Sequence, residues 1–359
     1  MTELETKLAI VRRVLSSQAL GAVRLRGVDW FSWATCGGSN VVILTTETGV
    51  AEVLITTGEA WVLTDDIEAE RLRVEEVPAA LTVWTGPWSD AHRRETFVRD
   101  ATGSAPIASD RPGPGEQPLP EPLVEARWSL LPEEQARYRT LGSDVASSVT
   151  DVLCAARPDW TGTQLAGAAA EALSAGGVHP TLALVGDERR LPIYRHPTPS
   201  QDRLGARAML VVCGRRHGLF ANLSRFVYFR RPSAGERRMS SDVAAVEAAA
   251  FRASRPGSTL GSVYDAMVQA YAERGHAGAE AFHHQGGSCG YLSRDVIAQS
   301  TTLAKLQGAN AVAWNPSLPG AKIEDTVIVG QDAVEILTVD HRWPTVEIDG
   351  RARPDLFVR

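Results

Sequence analysis

The sequence predicts an α+β protein in which a small α/β domain precedes a larger domain. Its 359 residues exceed the usual size of a single domain. A segment rich in proline and glycine spans residues 102–122 and separates two differently patterned regions. In the second region, segments with helical spacing and segments with strand character follow as two helices, strands, two helices and strands. We therefore expect domains at residues 1–101 and 123–359.

The first domain begins with a helical pattern between Glu3 and Leu20, where apolar residues recur at the spacing of one helix face. Short apolar runs separated by turn residues then predict strands, at residues 22–25, 40–44, 51–55 and 60–63. Val41 to Leu44 is continuously apolar, which is typical of a strand covered on both faces. A further helical pattern covers Asp65 to Arg73.

The segment 102–122 is interpreted as an interdomain linker. It contains six prolines and three glycines in 21 residues. Proline has no backbone N–H to donate and clashes with a helix interior, so this composition argues against a helix and against a central strand.

The larger domain has clear start and stop signals. Pro132 begins a long helix, and Thr161 or Thr163 caps the next one, which Gly176 and Gly177 end. Helices are predicted at residues 132–156, 161–175, 236–254 and 259–273. Strands are predicted at residues 181–185, 208–213, 219–229, 280–285, 311–314, 324–329 and 333–338.

Composition excludes several classes of function. The net charge is −6, so the basic surplus of a nucleic-acid-binding surface is missing. No apolar run reaches the roughly 18–20 residues of a membrane span, and the N-terminus lacks a signal-peptide pattern. Four cysteines without metal-type spacing indicate free thiols in a reducing cytoplasm. No phosphate-binding or dinucleotide fingerprint follows a strand, so no cofactor is expected.

Four short motifs in the second domain occur in a fixed order. They are VVCGRRHGLFANLSR at 211–225, HHQGG at 283–287, AWNP at 313–316 and KIEDT at 322–326. In order and spacing they resemble the motifs of the creatinase/prolidase/aminopeptidase P family. The resemblance extends over about residues 130–338, and the small N-terminal domain is similar too. It implies a pita-bread fold for residues 123–359, a creatinase-like N-terminal domain, and a homodimer.

The resemblance also assigns five positions to the family's pair of divalent metal ions. In this chain those positions hold Val211, Asn222, Gly287, Asn315 and Glu324. Only the last can be an ionised ligand, whereas two hard cations need several anionic oxygens to replace their water. We therefore predict no catalytic metal, and water activation by a metal pair is then absent.

Two histidines are the candidate acid–base groups. By resemblance, His196 matches a histidine that contacts substrate, and His283 matches one near the scissile bond. Imidazole titrates near neutral pH and can both give and take a proton. Neighbours on a strand point to opposite faces, so one of His283 and His284 is expected to face the cavity, and we choose His283. Glu324 could orient a histidine or activate water.

The remaining candidates would bind the substrate. The resemblance places Arg225, Arg294 and Lys322 around Glu324, an excess of positive charge that suits a carboxylate. Alternatively, Arg225 or Lys322 only neutralises Glu324 in an internal ion pair. The amides of Asn222 and Asn315 are expected to point inward, either to orient a substrate or to bond each other or nearby backbone groups.

Several functions are compatible with these residues. The main hypothesis is a metal-independent enzyme that acts on a C–N bond of a small carboxylate-bearing molecule, amino-acid-like or guanidino, by histidine acid–base catalysis. Creatinase, a metal-free member of the similar family, is the precedent. The alternative is an inactive pita-bread binding module, as in histone-chaperone relatives. A lyase or an Xaa-Pro-type metallopeptidase with a displaced site has less support. Ser288 and Cys289 lack the strand–turn–helix context of a nucleophile elbow.

Overall fold

The computed structural model describes residues 1–103 and 105–359. Two units can be distinguished, Met1–Glu134 and Gln135–Arg359. None of the helices in these described ranges is both long enough and apolar enough to cross a membrane.

The first unit is built on one six-stranded sheet. Its helices are α1 (Glu3–Ser17), α2 (Val28–Ala34), α3 (Ala69–Arg71), α4 (Ala91–Thr102) and α5 (Glu121–Trp128), and a π-helical turn follows α3 at Leu72–Glu76. Its strands are β1 (Ala22–Gly27), β2 (Thr48–Thr56), β3 (Ala60–Asp65), β4 (Thr82–Gly86), β5 (Ile107–Ser109) and β6 (Glu116–Pro118). The sheet order is β4-β3-β2-β1-β5-β6, with β1 antiparallel to β2 and parallel to β5.

The proline-rich segment differs from its prediction. Apart from Ser104, which lies outside the described residues, 102–122 contributes the end of α4, the strands β5 and β6 and the start of α5. β5 is short enough to fit between Pro106 and Pro112, and β6, which ends on Pro118, lies at the sheet edge, where a missing N–H is tolerated. The segment therefore belongs to the sheet of the first unit.

The apolar run Val41–Leu44 also differs from its prediction. It forms a turn rather than a buried strand, and Val42, Ile43 and Leu44 are exposed. Periodicity alone cannot separate a buried strand from an exposed apolar loop, because both are continuous apolar runs.

The second unit contains four long helices and two main sheets. The helices are α6 (Pro132–Ala155, of which Pro132, Glu133 and Glu134 are counted with the first unit), α7 (Gly162–Ala175), α8 (Ala234–Ala253) and α9 (Leu260–Glu273). The strands are β7 (His179–Asp187), β8 (Arg207–Arg216), β9 (Leu219–Tyr228), β10 (Gly286–Cys289), β11 (Val296–Ile297), β12 (Ala311–Trp314), β13 (Ser317–Leu318), β14 (Ala321–Lys322), β15 (Asp325–Val329), β16 (Val334–Ile336), β17 (Thr345–Ile348), β18 (Arg351–Pro354) and β19 (Phe357–Val358).

The sheets run β19-β9-β8-β7 and β11-β10-β12-β15-β16, with β13-β14 and β17-β18 as separate hairpins. Antiparallel pairing joins β7, β8 and β9, whereas β19 runs parallel to β9. The helices α8 and α9 bury an apolar cluster against the second sheet, with Trp314 fully buried inside it. The four helices predicted for this part of the sequence begin and end within two residues of α6, α7, α8 and α9.

The two sheets meet where β9 passes β15. The backbone N–H of Ser224 donates to the carbonyl of Glu324 at 3.1 Å, and Thr326 Oγ1 both accepts from and donates to the backbone of Asn222. These bonds bring motif residues that are about a hundred positions apart in sequence into one place. The candidate site lies beside this junction.

Candidate active site

A cavity of about 110 Å³ lies beside the junction of the two sheets. One wall is apolar and comes from β7 and β8, with Leu182, Leu184, Val211 and Cys213. The polar wall comes from loops and strand ends, with His196, His284, Ser293, Arg294, Asn315, Lys322 and Glu324. Five of the eight predicted site residues therefore line one cavity.

Three imidazole rings cluster at this cavity. The Nε2 atoms of His196 and His283 lie 2.9 Å apart, so one of them donates a hydrogen bond to the other. The ring of His284 stacks on that of His283 with centroids 4.5 Å apart. The Nδ1 atoms of His283 and His284 are buried, without a hydrogen-bond partner among the described residues.

The environment keeps these imidazoles neutral. Burial, assisted by the charge of Lys322, lowers the pKa of His283 to about 2. Burial and the charge of Arg294 lower the pKa of His284 to about 4. The pKa of His196 is also lowered, by burial and by Lys322, although its side chain is the most exposed of the three. At neutral pH the cluster therefore offers both N–H donors and free lone pairs.

Glu324 is paired with two cations. It accepts from Arg294 Nη2 at 2.5 Å, and its other oxygen lies 3.4 Å from Lys322 Nζ. Burial opposes ionisation of Glu324, but the charges of Lys322 and Arg294 outweigh it and lower the pKa of that carboxyl. The ion pair between Lys322 and Glu324, which the sequence offered as an alternative to substrate binding, is thus formed, and Arg294 lies closer to Glu324 than Lys322 does. Two cations against one carboxylate leave a formal excess of one positive charge.

The two asparagines point inward but do not bond each other. The Oδ1 atoms of both Asn222 and Asn315 are buried without a hydrogen-bond partner among the described residues. Asn315 lines the cavity, whereas the amide nitrogen of Asn222 donates weakly to the carbonyl of Ser293 at 3.5 Å. The Oδ1 of Asn315 is thus a buried acceptor at the cavity wall whose hydrogen bond is not made within the described residues.

Both His283 and His284 belong to the cluster, which corrects the expectation that one of them turns away. The strand predicted at 280–285 is a 3-10 turn at Ala279–Phe282 followed by a loop, and β10 begins only at Gly286. Without strand alternation, the two rings can stack. His284 lines the cavity directly, and His283 reaches it through His196. Two adjacent histidines in the sequence could have indicated a stacked pair, but the strand predicted at 280–285 placed their side chains on opposite faces.

Arg225 is not among the residues lining the cavity. Its guanidinium donates to Asp325 Oδ1 at 2.8 Å and to the carbonyl of Thr338 at 2.8 Å. Asp325 also accepts from Arg353, which in turn pairs with the buried Glu247. Arg225 thus belongs to a buried ion network that joins β9 to β15, β18 and α8, and the substrate-binding role expected for it has no support here.

The family's two-metal site does not fit this donor set. A side chain at Gly287 would begin with a Cβ only 1.9 Å from the carbonyl oxygen of Val296, so no histidine ligand can stand there. Val211 offers no donor, and the one carboxylate, Glu324, is held by two cations. The residues at these positions therefore do not supply the donors that a metal pair needs.

The imidazole cluster is the one group of three or more histidines, cysteines or carboxylates, among the described residues, that could hold a metal ion. Donor atoms of His196, His283 and His284 lie within 4.8 Å of one another. Imidazoles suit zinc, nickel or copper. However, Lys322 and Arg294 face the same imidazoles and repel a cation, with only Glu324 to offset them.

Comparison with known proteins supports this assignment of the fold. The model of metallopeptidase family M24 matches residues 137–331, just over half of the chain. A search of curated proteins found no match. Among solved structures, the chain is similar to the Xaa-Pro dipeptidase from Bacillus anthracis, with a TM-score of 0.79 and 15% identity over 99% of this chain and 100% of that one.

Two further structures show the same fold. Dipeptidase PepE from Mycobacterium ulcerans has a TM-score of 0.78 and 18% identity, covering 99% of this chain and 97% of that one. The N-terminal domain of the FACT complex subunit SPT16 from chickpea has a TM-score of 0.67 and 12% identity, covering 94% and 96%. The predicted pita-bread architecture is thereby confirmed, and the chain belongs to metallopeptidase family M24.

Proposed function

We propose that this chain is a metal-independent enzyme that cleaves a C–N bond in a small carboxylate-bearing molecule, with His196 and His283 transferring the proton. The observation that carries the proposal is the 2.9 Å contact between their Nε2 atoms beside a cavity of excess positive charge. Family membership supports a hydrolase of the prolidase type. The donor set speaks against the family's usual metal chemistry.

The histidine pair forms a short path for a proton. One Nε2 donates to the other, so a proton delivered to one ring can be passed on by the pair. His196, the more exposed ring, exchanges protons with solvent. His283 is too acidic in the free protein to hold a proton itself, because its pKa is about 2. A bound carboxylate would offset the charge of Lys322 and so raise the pKa of both rings.

The cavity selects the substrate by charge and size. About 110 Å³ is the space of a few water molecules, so it admits a carboxylate and a short carbon chain. Arg294 and Lys322 would bind that carboxylate, with Glu324 positioning both cations rather than contacting a histidine. The unpartnered Oδ1 of Asn315 would accept an N–H of the bond to be cleaved.

The chemical step is a hydrolysis. Water adds to the carbon of the C–N bond, a trigonal carbon that is also double-bonded to oxygen or nitrogen, while an imidazole nitrogen takes a proton from that water. The C–N bond then breaks, its electrons stay on nitrogen, and the imidazolium returns the proton to the leaving amine. No oxidant or reductant enters. The products are an amine and a carbonyl compound that carries the new oxygen.

Thermal shift on chelator-treated protein tests the proposal. The panel contains guanidino acids, cyclic amidines, betaines and proline dipeptides. We expect one carboxylate-bearing class to raise the melting temperature, Arg294→Ala to reduce that rise, and the protein to hydrolyse a member of the class without added metal.

In His196→Ala and His283→Ala we expect turnover to fall about a hundredfold or more, while the ligand still binds. His341→Ala, at an exposed position, is the matched control. Unchanged turnover in His283→Ala would remove the proposed role. No shift with any panel member would favour the binding module instead.

A further inference from the structure

A second space lies against the same histidines. It is an open groove of about 390 Å³, and Tyr264, Glu280, His283 and His284 are among the residues that line it. His284 lines both this groove and the 110 Å³ cavity. The two spaces thus share one lining residue, the imidazole of His284.

The groove has the opposite charge to the cavity. Glu280 is the one acidic or basic side chain among its lining residues, apart from the neutral histidines. Its Oε2 is buried without a hydrogen-bond partner among the described residues. The Nδ1 of His283, a side chain only 8% exposed, is unpartnered in the same place. Buried polar atoms are normally satisfied, so the Glu280 oxygen marks a missing donor, and the His283 nitrogen marks a missing donor or a missing acceptor according to its tautomer.

One buried side chain holds Glu280 and His283 in place. The amide nitrogen of Gln285 donates to the carbonyls of Glu280, at 3.2 Å, and of His283, at 2.5 Å. Its Oε1 accepts from the hydroxyl of Tyr271 at 3.0 Å. Gln285 is completely buried. These bonds fix the backbone at both residues and so limit where the carboxylate and the imidazole can lie.

From this arrangement we infer that the groove is a subsite for a cationic nitrogen group, bound by the Glu280 carboxylate. The substrate of the proposed reaction is then a zwitterion. Its ammonium or guanidinium lies against Glu280, and its carboxylate lies with Arg294 and Lys322. The bond to be cleaved lies between these ends, at the imidazoles. This inference rests on the proposed function and adds the class of substrate and its orientation.

Calorimetric titration with three matched probes tests the inference: 4-aminobutyrate, butyrate and butylamine. We expect 4-aminobutyrate to bind at least about tenfold more tightly than butyrate, the worth of one hydrogen bond between charged groups. Glu280→Gln should remove that advantage and leave the affinity for butyrate unchanged. Glu280→Asp should restore part of it. Glu273→Gln, an exposed position on α9, should change neither affinity.

Each outcome separates the inference from the proposed function. Equal affinity of the unaltered protein for 4-aminobutyrate and butyrate overturns the cationic subsite and leaves the carboxylate cavity standing. The same follows if Glu280→Gln keeps the full advantage while its circular dichroism is unchanged. Failure of all three probes to bind contradicts the carboxylate cavity, and with it both proposals.

Discussion

At the residue scale, burial of the imidazole cluster serves the proposed proton transfer but makes the stability of the fold depend on pH. Neutral histidines are needed for proton transfer, and burial beside Lys322 and Arg294 keeps them neutral. The same burial makes protonation of the folded state unfavourable. Acid should therefore weaken the fold through the residues that the proposed reaction uses.

This gives a prediction with a definite sign. In the unfolded chain histidine has a pKa near 6.5, whereas in the fold the values are about 2 for His283 and about 4 for His284. Their neutral forms stabilise the fold fully above the unfolded pKa. As pH falls below about 6.5, only the unfolded chain takes up these protons, so stability falls by roughly 1.4 kcal/mol per pH unit for each histidine. The charge of Glu324 raises the pKa of His284, but by less than burial and the charges of Arg294 and Lys322 lower it.

Urea unfolding between about pH 6.5 and 4 measures this slope, which for one proton is roughly 1.4 kcal/mol per unit. His284→Asn should remove the part of this pH dependence of the unfolding free energy that comes from His284. His341→Asn, at an exposed position, should keep the full slope. Equal slopes in the unaltered protein and in His284→Asn would show that this imidazole is not buried in its neutral form.

At the element scale, β10 explains why the two-metal site cannot simply be restored. The strand lies between β11 and β12, and Gly287 pairs with Ile297 on one side and Ala313 on the other. A Cβ there would lie 1.9 Å from the carbonyl oxygen of Val296, a backbone atom that cannot move away alone. The backbone of β10 is thus adapted to the absence of a side chain.

Gly287→Ala should therefore destabilise the protein by about 2 kcal/mol or more, because overpacking forces the strands apart. Gly167→Ala is the matched control: that glycine lies inside α7, where an added Cβ meets nothing, so the change should stabilise by up to about 1 kcal/mol. Chemical denaturation compares both. A Gly287→Ala protein as stable as the unaltered one would contradict the described packing of β10.

The sequence predicted most elements because their signals are local. Thr161 caps α7, and its hydroxyl and Gln164 form the reciprocal bonds of a capping box. The linker at 102–122 and the strand at 280–285 were wrong for a different reason. A strand of three residues can fit between prolines, and a 3-10 turn can carry the same residues as a strand, so tertiary packing decides.

The candidate site was predictable only where a motif could be aligned. His196, His283, Arg294, Lys322 and Glu324 come together as the resemblance implied. Arg225 does not, because Asp325 and Arg353 form a network whose partners are distant in sequence. Glu280 and Gln285 belong to no motif, and only the fold shows what they contact. The homodimer and the cytoplasmic location stay predictions.

At the scale of the whole molecule, the chain has a pita-bread fold, and at the positions that the resemblance assigns to a metal pair it has one carboxylate, that of Glu324. The sheet junction that places the motifs survives in the bonds between Asn222 and Thr326. In the proposed site the positive charge comes from Arg294 and Lys322, both held by Glu324. A positive site is thus retained with side chains alone.

Calorimetric titration of Mn²⁺ into chelator-treated protein tests this central claim most directly, because Mn²⁺ prefers oxygen ligands and Glu324 is the one carboxylate at the five aligned positions. We predict no saturable binding tighter than about millimolar, and the same result in Glu324→Gln. Saturable binding of a pair of ions per chain, abolished by Glu324→Gln, would contradict the account and make the protein a metal-dependent member of its family.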